Sequence, residues 1–400
     1  MWQQIKNLYH LAQAFTAAAY FNFPSQKLTV IAVSGTDGKT TTVNMIYHVL
    51  TQSGFKTSMV SSIGAIIADR EKETGLHVST PSPWQVQKLL KEAVDKKSRY
   101  FVLEATSHGI HQNRLAFVKI DIAVVTNITN EHLDYHVYWQ NYAAAKAKLF
   151  KNVKFSVLNI DDQKSYRFLQ NKVSGRVLTY SQNKSSDINL KNNPVELGVS
   201  GNFNISNALA AVSVCTALKI AKSKILKSLK SYSGTRGRLE HVNAGQDFQA
   251  IIDFAHTPNA LKSVLTHLRL EKNPGSKLIV VFGAAGQRDK SKRMPMGKIA
   301  ARLADISIIT AEDPRNEKVE NINEQIIQGF KSQGKEEGKD YFLVGDRKDA
   351  IIYAIELAKK GDTVAFLGKG HEKSMNIGSI EHPWDELQIV KNALKNKLRK

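Results

Sequence analysis

The chain has little cysteine and no long apolar run. Cys215 is the one cysteine among 400 residues, so an internal disulfide is excluded and we expect a reducing, cytoplasmic compartment. No segment approaches the roughly 20 consecutive apolar residues that a membrane-spanning helix requires. Residues 14–21 are apolar, but few basic residues precede them and no clear cleavage site follows, which argues against a secretion signal.

Acidic residues are the scarcer charged type. The chain holds 56 Lys and Arg against 36 Asp and Glu, a net charge of +20. Such an excess can indicate a nucleic-acid or anionic-membrane partner. Here the lysines are spread along the chain, and no motif interleaves them with aromatic residues. We therefore expect polyanionic small substrates and no nucleic-acid partner, and the sequence does not predict an oligomeric state.

The start of the chain favours a helix. Ile5, Leu8, Tyr9, Ala12 and Phe15 recur at helical spacing. We predict a helix within residues 1–27 that packs on the rest of the protein through this face.

The most informative pattern is a strand that enters a glycine-rich turn. The apolar run at residues 28–33 leads into Ser34-Gly-Thr-Asp-Gly-Lys-Thr-Thr41, and a helix-compatible segment follows. Glycines let backbone N–H groups point inward, the helix N-terminus adds partial positive charge, and Lys and Thr side chains can reach phosphates and Mg²⁺. Val33 stands where a strict P-loop has its first glycine, and Gly-Lys-Thr alone also occurs in ordinary turns. In this context we predict a phosphate site formed by Gly35, Thr36, Asp37, Gly38, Lys39, Thr40 and Thr41.

Strand-like runs alternate with amphipathic helical segments along the rest of the chain. This alternation predicts an α/β fold, with a P-loop-type central domain built on a mostly parallel sheet and a C-terminal Rossmann-like α/β domain. The turn-rich segment 231–237 places a boundary near residue 233. We therefore predict an N-terminal helical segment at 1–27, a central domain at 28–232 that carries the phosphate site, for which the resemblance described below implies ATP, and a C-terminal domain at 233–400.

Polar clusters follow several of the predicted strands, where open α/β sheets bind ligands. Glu104 ends one strand and is a hard oxygen ligand suited to Mg²⁺. Glu131 or His132, after the next strand, could reach a metal or a phosphate, although a lone histidine is often a hydrogen-bonded structural residue. The basic run at 283–293 could equally be a solvated loop. Further polar clusters stand at 253–258 and 368–372.

As a set, these motifs resemble those of the Mur ligases, the ATP-dependent amide-forming enzymes of peptidoglycan precursor synthesis. The resemblance is carried by motifs that occur here in the same order as in the family: the glycine-lysine-threonine loop, Glu104 to His108, Gly201 to Asn207, Gly237-Arg-Leu-Glu240 and Asp313-Pro-Arg315. Within the family the chain looks most like the tripeptide synthetases, which add the third residue of the stem peptide. The resemblance implies an ADP-forming ligase that activates a peptide carboxylate as an acyl phosphate, which the amine of an amino acid then attacks.

The resemblance also implies roles for particular residues. Lys39 and Thr40 would bind ATP phosphates and Mg²⁺, and Glu104 and His132 would serve the metal sites. Lys146 matches a lysine that is carbamylated in the family. Asn207 resembles an adenine contact, and Arg238 and Asp253 resemble residues of the ATP site. The expected contacts to the nucleotide-sugar peptide are Thr80, Pro81, Ser107, Gln112 and Arg114, and those to the incoming amino acid are Arg293, Asp313, Arg315, Gly368 and Glu372.

The sequence departs from the family pattern at several positions. The family usually carries a UDP-binding domain before the phosphate loop, whereas here residues 1–27 precede the strand. Glu131 replaces an aspartate, Gln287 and Asn259 replace acids, and Asp313 replaces the asparagine associated with meso-diaminopimelate. Arg315 still offers a bidentate partner for a carboxylate, so we expect meso-diaminopimelate, with lysine as the other candidate. Two alternatives remain: a related Mur or folylpolyglutamate-type ligase with another carboxylate acceptor, and a non-catalytic ATP-binding partner subunit.

Overall fold

The computed structural model describes residues 2–75, 79–129 and 138–399. It consists of two compact units, Met1–Ser233 and Gly234–Lys400. Each unit is an α/β structure, as the alternating pattern predicts. Among the described residues, no helix is both long enough and apolar enough to cross a membrane.

The first unit is built on a nine-stranded sheet. Its strands in chain order are β1 Thr29–Ser34, β2 Thr57–Ser61, β3 Gly64–Ile67, β4 Arg70–Lys72, β5 Tyr100–Glu104, β6 Ile122–Val125, β7 Phe155–Asn159, β8 Arg176–Ser181 and β9 Ile188–Asn189. Their spatial order is β4-β3-β2-β5-β1-β6-β7-β8-β9. All neighbours pair in parallel except β2 with β3 and β3 with β4. The parallel pairing aligns the carboxyl ends of β1, β5 and β6, because Val33 pairs with both Glu104 and Val124.

Helices cover both faces of this sheet. They are α1 Trp2–Tyr20, α2 Lys39–Gln52, α3 Pro83–Asp95, α4 Ser107–His111, α5 Trp139–Ala147, α6 Gln163–Leu169, α7 Asn202–Ala217 and α8 Lys222–Lys230. β1 is apolar from residue 30 to residue 33, as expected for a strand that is covered on both sides. Val30 and Ala32 belong to one core, and Ile31 and Val33 belong to the other.

The helix α1 forms as expected but packs through a different face. Leu8 is 68% exposed, and Tyr9, Ala12 and Phe15 are exposed as well. Within residues 6–20, the buried residues of the helix are Ala14, Ala17 and Ala18, and α1 packs against α3. Small side chains let two helix backbones approach closely, so the alanine face packs and the larger residues stay outside. The prediction of the packing face was therefore wrong. The side chain of Ile5 lies outside the described residues.

The second unit has a six-stranded sheet and a separate hairpin. The sheet strands are β10 Glu240–His241, β11 Gln249–Asp253, β12 Leu278–Phe282, β13 Ile306–Ile309, β14 Tyr341–Leu343 and β15 Thr363–Leu367, in the order β10-β11-β15-β12-β13-β14. Within this sheet, β10 pairs antiparallel with β11 and all other neighbouring strands pair in parallel. The hairpin joins β16 Ser374–Ile377 to β17 Ile380–Pro383. The helices are α9 Pro258–Glu271, α10 Arg293–Leu303, α11 Val319–Lys331, α12 Arg347–Leu357 and α13 Glu386–Arg399.

Candidate active site

The glycine-rich turn joins the end of β1 to the start of α2. Gly35 has φ +150° and Gly38 has φ +82°, and a Cβ atom at either position would meet a neighbour. The clash would be with Oγ1 of Thr126 at 1.8 Å for Gly35 and with Oδ1 of Asn207 at 2.3 Å for Gly38. The chain therefore needs glycine at both positions for steric as well as conformational reasons.

The strand end beside the turn supports it. The backbone N–H of Thr36 donates to the Asn127 carbonyl at 2.8 Å, and the N–H of Asp37 donates to Asn127 Oδ1 at 3.0 Å. Thr126 Oγ1 in turn donates to the Asp37 carbonyl at 2.6 Å. The turn is thus held in shape by Thr126 and Asn127, which begin the polar cluster that the sequence places after β6.

Two predicted metal-site residues meet below the turn. Thr40, in the first turn of α2, donates its hydroxyl proton to Glu104 Oε2 at 2.9 Å, and the backbone N–H of Ser62 donates to the same oxygen at 3.1 Å. Glu104 is buried. The described residues contain no group of three or more His, Cys, Asp or Glu side chains arranged for a metal, but a hydroxyl and a carboxylate oxygen beside a phosphate-type turn fit Mg²⁺. His132 and Glu131 lie outside the described residues.

Two lysines donate hydrogen bonds to backbone carbonyls of the turn. Lys39 Nζ donates to the Thr36 carbonyl at 2.7 Å and is half-buried. Lys146, on α5, is 1% exposed, and its Nζ donates to the Gly35 carbonyl at 2.7 Å. The Tyr142 ring lies 4.5 Å from Lys146 Nζ, and the Tyr142 hydroxyl is 3.1 Å from Thr36 Oγ1. A lysine in this alanine-rich helix is therefore part of the turn's surroundings and is not a surface lysine.

Asn207 also lies at the phosphate turn. Its Oδ1 accepts a hydrogen bond from Thr42 Oγ1 at 3.4 Å, and its Nδ2 donates to Asn204 Oδ1 at 3.4 Å. The amide is buried and occupies the space next to Gly38. In this position the side chain supports the start of α2, and its expected contact with adenine stays a prediction.

The residues expected to hold the acceptor form one cluster after β5. Arg114 Nη1 donates to the Thr80 carbonyl at 2.9 Å, and Arg114 Nε donates to Gln112 Oε1 at 3.0 Å. Thr80 Oγ1 is 3.0 Å from Thr106 Oγ1, and Thr106 caps α4, which begins at Ser107. Pro81 and Ser107 are buried. Thr106 was missed, because nothing in the sequence distinguishes it from other helix caps.

In the second unit, Asp253 and Arg238 lie at neighbouring positions. Asp253 is buried at the end of β11 and accepts hydrogen bonds from the N–H groups of Leu239 and Ala255, each at 2.8 Å. The Arg238 guanidinium lies over the Phe254 ring at 4.5 Å, and its Nη1 donates to the Gly237 carbonyl at 3.0 Å. Asp253 therefore orders the backbone that carries Arg238.

Three residues that were predicted to contact the incoming amino acid also come together, around a lysine that was not predicted as a site residue. They are Asp313, Gly368 and Glu372. Lys369 is fully buried, and its Nζ donates to Asp313 Oδ1 at 2.8 Å and to Glu372 Oε2 at 2.6 Å. The two carboxylates raise the pKa of Lys369, although burial acts in the opposite direction and is the larger single influence. Lys369 stands between Gly368 and Glu372 in the sequence, so the polar run at 368–372 was the signal for it.

Arg315 lies at the edge of this cluster. It has φ +52°, its backbone N–H donates to the Asn376 carbonyl at 3.0 Å, and its Nη1 donates to the Gly286 carbonyl at 2.7 Å. The N–H of Asn376 donates to Asp313 Oδ1 at 3.0 Å. The hairpin β16–β17 thus fixes the segment that carries Asp313 and Arg315.

Arg293 does not occupy the position that we expected. Its side chain is fully buried, and Nη1 donates to Glu317 Oε2 at 2.9 Å and to Gln325 Oε1 at 3.1 Å. Nη2 donates to the Ala285 carbonyl at 3.0 Å. The hydrogen bond from Arg293 is the largest influence that lowers the pKa of Glu317, to about 2. Because its charge is already matched by Glu317, Arg293 is not placed as an open cation for a carboxylate ligand.

Arg347 is a second buried arginine that sequence reasoning missed. It is fully buried on α12 and forms an ion pair with Glu386, with a distance of 2.5 Å from Nη2 to Oε1. It also donates to the carbonyls of Ala311 at 3.3 Å and Leu367 at 2.9 Å. These carbonyls immediately precede Glu312 and Gly368, so Arg347 holds together the two segments that carry the Asp313–Lys369–Glu372 cluster.

Comparisons with known proteins agree with the resemblance found in the sequence. A family model described as "Mur ligase middle domain" matches residues 33–215, and one described as "Mur ligase, glutamate ligase domain" matches residues 237–370. A UDP-N-acetylmuramoyl-L-alanyl-D-glutamate--2,6-diaminopimelate ligase of Caldanaerobacter subterraneus is 37% identical over 402 residues, which cover 96% of this chain and 81% of that protein.

Solved structures show the same architecture. A UDP-N-acetylmuramoyl-L-alanyl-D-glutamate--2,6-diaminopimelate ligase aligns with a TM-score of 0.60 at 29% identity, over 93% of this chain and 79% of that one. The folylpolyglutamate synthase of Mycobacterium tuberculosis aligns with a TM-score of 0.70 at 16% identity, over 97% and 95% of the two chains, and this similarity shows the fold alone. The chain belongs to the Mur ligase family, a family of ATP-dependent, ADP-forming ligases.

Proposed function

We propose that this protein joins meso-diaminopimelate to the terminal carboxylate of a UDP-N-acetylmuramoyl-dipeptide, with conversion of ATP to ADP and phosphate. The observation that carries the proposal is the group of Lys39, Lys146 and the Thr40–Glu104 pair around one glycine turn. The relatives named as diaminopimelate ligases support the choice of acceptor and amino acid.

The phosphate turn is suited to hold the triphosphate of ATP. Its backbone N–H groups and the N-terminus of α2 favour an anion, and Lys39 can leave the Thr36 carbonyl to reach a phosphate oxygen. Thr40 and Glu104 are the residues that would hold Mg²⁺, and a bound Mg²⁺ would supply positive charge for phosphoryl transfer. Both lysine and hydroxyl come from the first turn of α2, so one helix start positions them together.

The chemistry needs an activated carboxylate. A carboxylate oxygen of the acceptor attacks the γ-phosphorus of ATP, ADP leaves, and an acyl phosphate forms. The neutral amine of the amino acid then attacks the acyl carbon, phosphate leaves with the bonding electron pair, and the amine loses its proton. Lys39 stabilises the charge on the transferred group. No covalent enzyme nucleophile is required, and Cys215 is buried, with burial raising the pKa of its thiol.

Lys146 would act as a carbamate. The ammonium first loses a proton, and the neutral amine then attacks the carbon of CO₂ and releases a second proton. The product is a carbamate, so a buried cation is replaced by an anion with two oxygen ligands. The modification requires the amine to leave the Gly35 carbonyl and the Tyr142 ring, which both favour the ammonium form. We therefore propose that ligand binding and carbamylation occur together.

The acceptor is assigned to the cluster after β5. Arg114 Nε donates to Gln112 Oε1, Thr80 Oγ1 donates to the Glu104 carbonyl at the end of β5, and Ser107 begins the helix that follows this strand. Arginine is a strong partner for a carboxylate or a phosphate because its guanidinium binds either in a bidentate manner. We assign Arg114 to an anionic group of the nucleotide-sugar peptide.

The amino acid is assigned to Arg315 and the Asp313–Lys369–Glu372 cluster. Arg315 can bind the distal carboxylate of a diamino dicarboxylic acid, and the two acids can accept hydrogen bonds from its distal ammonium. Lysine lacks that carboxylate and cannot make the bidentate contact with Arg315. This difference favours meso-diaminopimelate over lysine.

The test is phosphate release by the purified protein with ATP, Mg²⁺, one acceptor and one amino acid. We expect release with UDP-N-acetylmuramoyl-dipeptide and meso-diaminopimelate, and a kcat/KM at least about tenfold lower with lysine. The same assay with folates as acceptors is the comparison. Phosphate release with folates and not with the UDP-linked dipeptide would indicate a folylpolyglutamate-type ligase. ATP binding without phosphate release for any pair of substrates would favour a non-catalytic partner subunit.

A further inference from the structure

Glu312 is a buried acid that none of these assignments uses. It is 6% exposed, and its Oε2 atom has no hydrogen-bond partner. The same oxygen lies 2.7 Å from the position that a Cβ atom would take at Gly368. Glu312 is therefore packed against Gly368 and precedes Asp313 in the chain. It adjoins two residues that were expected to contact the incoming amino acid.

The charged groups that face Glu312 come from four segments: Lys292, Asp313, Arg347 and Lys369. Each of the three cations is already engaged elsewhere. Lys292 Nζ donates to the His256 carbonyl at 2.8 Å. Arg347 is paired with Glu386, and Lys369 with Asp313 and Glu372.

The protonation state of Glu312 is therefore sensitive to pH in the neutral range. Burial is the main cause that raises its pKa to about 7, and Asp313 acts in the same direction, while Lys292, Arg347 and Lys369 oppose both. An ordinary glutamate has a pKa of about 4.3 and is ionised throughout the neutral range. Glu312 changes charge near neutral pH.

The charge of the assigned pocket depends on this residue. Asp313 and Glu372 carry two negative charges, and Lys369 and Arg315 carry two positive charges. Lys292 also faces Glu312 and adds a third positive charge, whereas the charge of Arg347 is balanced by Glu386. Ionisation of Glu312 makes the charge of this group one unit more negative, which shifts the preference from a diamino dicarboxylic acid with no net charge toward an amino acid with a net positive charge such as lysine.

We propose that Glu312 determines amino-acid specificity through its charge, admitting a diamino dicarboxylic acid when neutral and shifting the preference toward a cationic diamino acid when ionised. This inference rests on the proposed function of the same site. Glu312 acts through the electric field in the pocket and does not itself need to touch the amino acid.

The test is the ratio of kcat/KM for meso-diaminopimelate to kcat/KM for lysine, measured from about pH 6 to about pH 8.5. A ratio cancels the titration of groups that serve both amino acids. In the wild-type protein we expect the ratio to fall about tenfold or more as the pH rises through about 7. In Glu312→Gln, which keeps the shape but cannot ionise, we expect a ratio that stays near the wild-type low-pH value.

Glu324→Gln, on the exposed face of α11, is the matched control and should retain the wild-type profile. Infrared difference spectra of the wild-type protein add a readout that needs no turnover: the carbonyl band of a protonated carboxyl group should disappear near pH 7 and be missing in Glu312→Gln. A wild-type ratio that is flat across the range would overturn the proposal even if the variant did not fold. Absence of turnover with either amino acid at every pH would instead overturn the proposed function.

Discussion

Lys39 is the half-buried cation on which the proposed phosphate chemistry depends most directly. Its Nζ donates to the Thr36 carbonyl, so the side chain is folded over the turn. Its removal takes one positive charge away from the transferred phosphate while leaving the backbone of the turn in place.

We predict that Lys39→Ala lowers kcat by about 10²-fold or more, because the lost charge acts on the transition state. Circular dichroism and the thermal midpoint should stay close to those of the wild-type protein. Near-normal turnover in the folded variant would remove the phosphate assignment from this turn.

Lys146 differs from Lys39 because it is almost completely buried, at 1% exposure. If Lys146 acts as an ammonium, an added carboxylate has the wrong charge to restore its function. If Lys146 acts as a carbamate, an added carboxylate has the same charge and can take its place. Rescue of an alanine variant by carboxylic acids therefore distinguishes the two forms.

We predict that Lys146→Ala is nearly inactive and that short carboxylic acids such as acetate restore part of its activity. Lys148→Ala, which removes an exposed lysine two residues away, is the control and should behave as the wild-type protein does. Full activity of Lys146→Ala without added carboxylate contradicts the carbamate assignment.

At the scale of elements, α10 is tied to the start of α11 by the Arg293–Glu317 pair. Arg293 is the first residue of α10, and Glu317 lies two residues before α11. The pair joins the two helices through a fully buried guanidinium, whereas its carboxylate partner is 17% exposed. Loss of the carboxylate would leave a buried cation without its matching charge.

We predict that Glu317→Ala lowers the free energy of unfolding by about 3 kcal/mol at neutral pH, near the lower end for breaking a buried pair, because Gln325 and the Ala285 carbonyl still contact Arg293. Urea unfolding followed by fluorescence measures it. The folded-state pKa of Glu317 is lowered to about 2, so its contribution is complete above the unfolded pKa of 4.5 and is lost as the pH falls toward about 2. In Glu317→Gln this part of the acid destabilisation should be missing. An unchanged acid profile would show that the pair contributes little.

At the scale of the whole molecule, the two units have separate hydrophobic cores. Those of the first unit lie on the two faces of the nine-stranded sheet. In the second unit, a core that includes Ile252, Val281 and Phe366 packs β-strands against α12 and α13. A segment of this size with its own core has the properties of an independent domain.

We predict that residues 234–400, expressed alone, fold cooperatively. Circular dichroism should show a single thermal transition, and near-ultraviolet signals should indicate fixed aromatic side chains. The fragment should not release phosphate from ATP, because the phosphate turn belongs to the first unit. A fragment that binds a hydrophobic dye strongly and lacks a cooperative transition would contradict this prediction.

The sequence by itself determined the fold class, the family and the position of the glycine-rich turn between β1 and α2. Strand–turn–helix order, glycine at Gly35 and Gly38, and apolar runs of strand length are local patterns, and the α/β fold and family membership that they predict are confirmed. Local patterns carry this information because backbone conformation and the spacing of apolar residues are properties of neighbouring residues.

Only the tertiary structure decided which of the charged side chains form ion pairs with other residues of the chain. Arg293 and Arg315 look alike in the sequence, yet one is buried against Glu317 and the other lies at the edge of the Asp313–Lys369–Glu372 cluster. The same holds for α1, where the alanine face is buried and Leu8 is exposed. Burial and pairing depend on residues that are distant in the chain, so no local pattern of sequence can specify them.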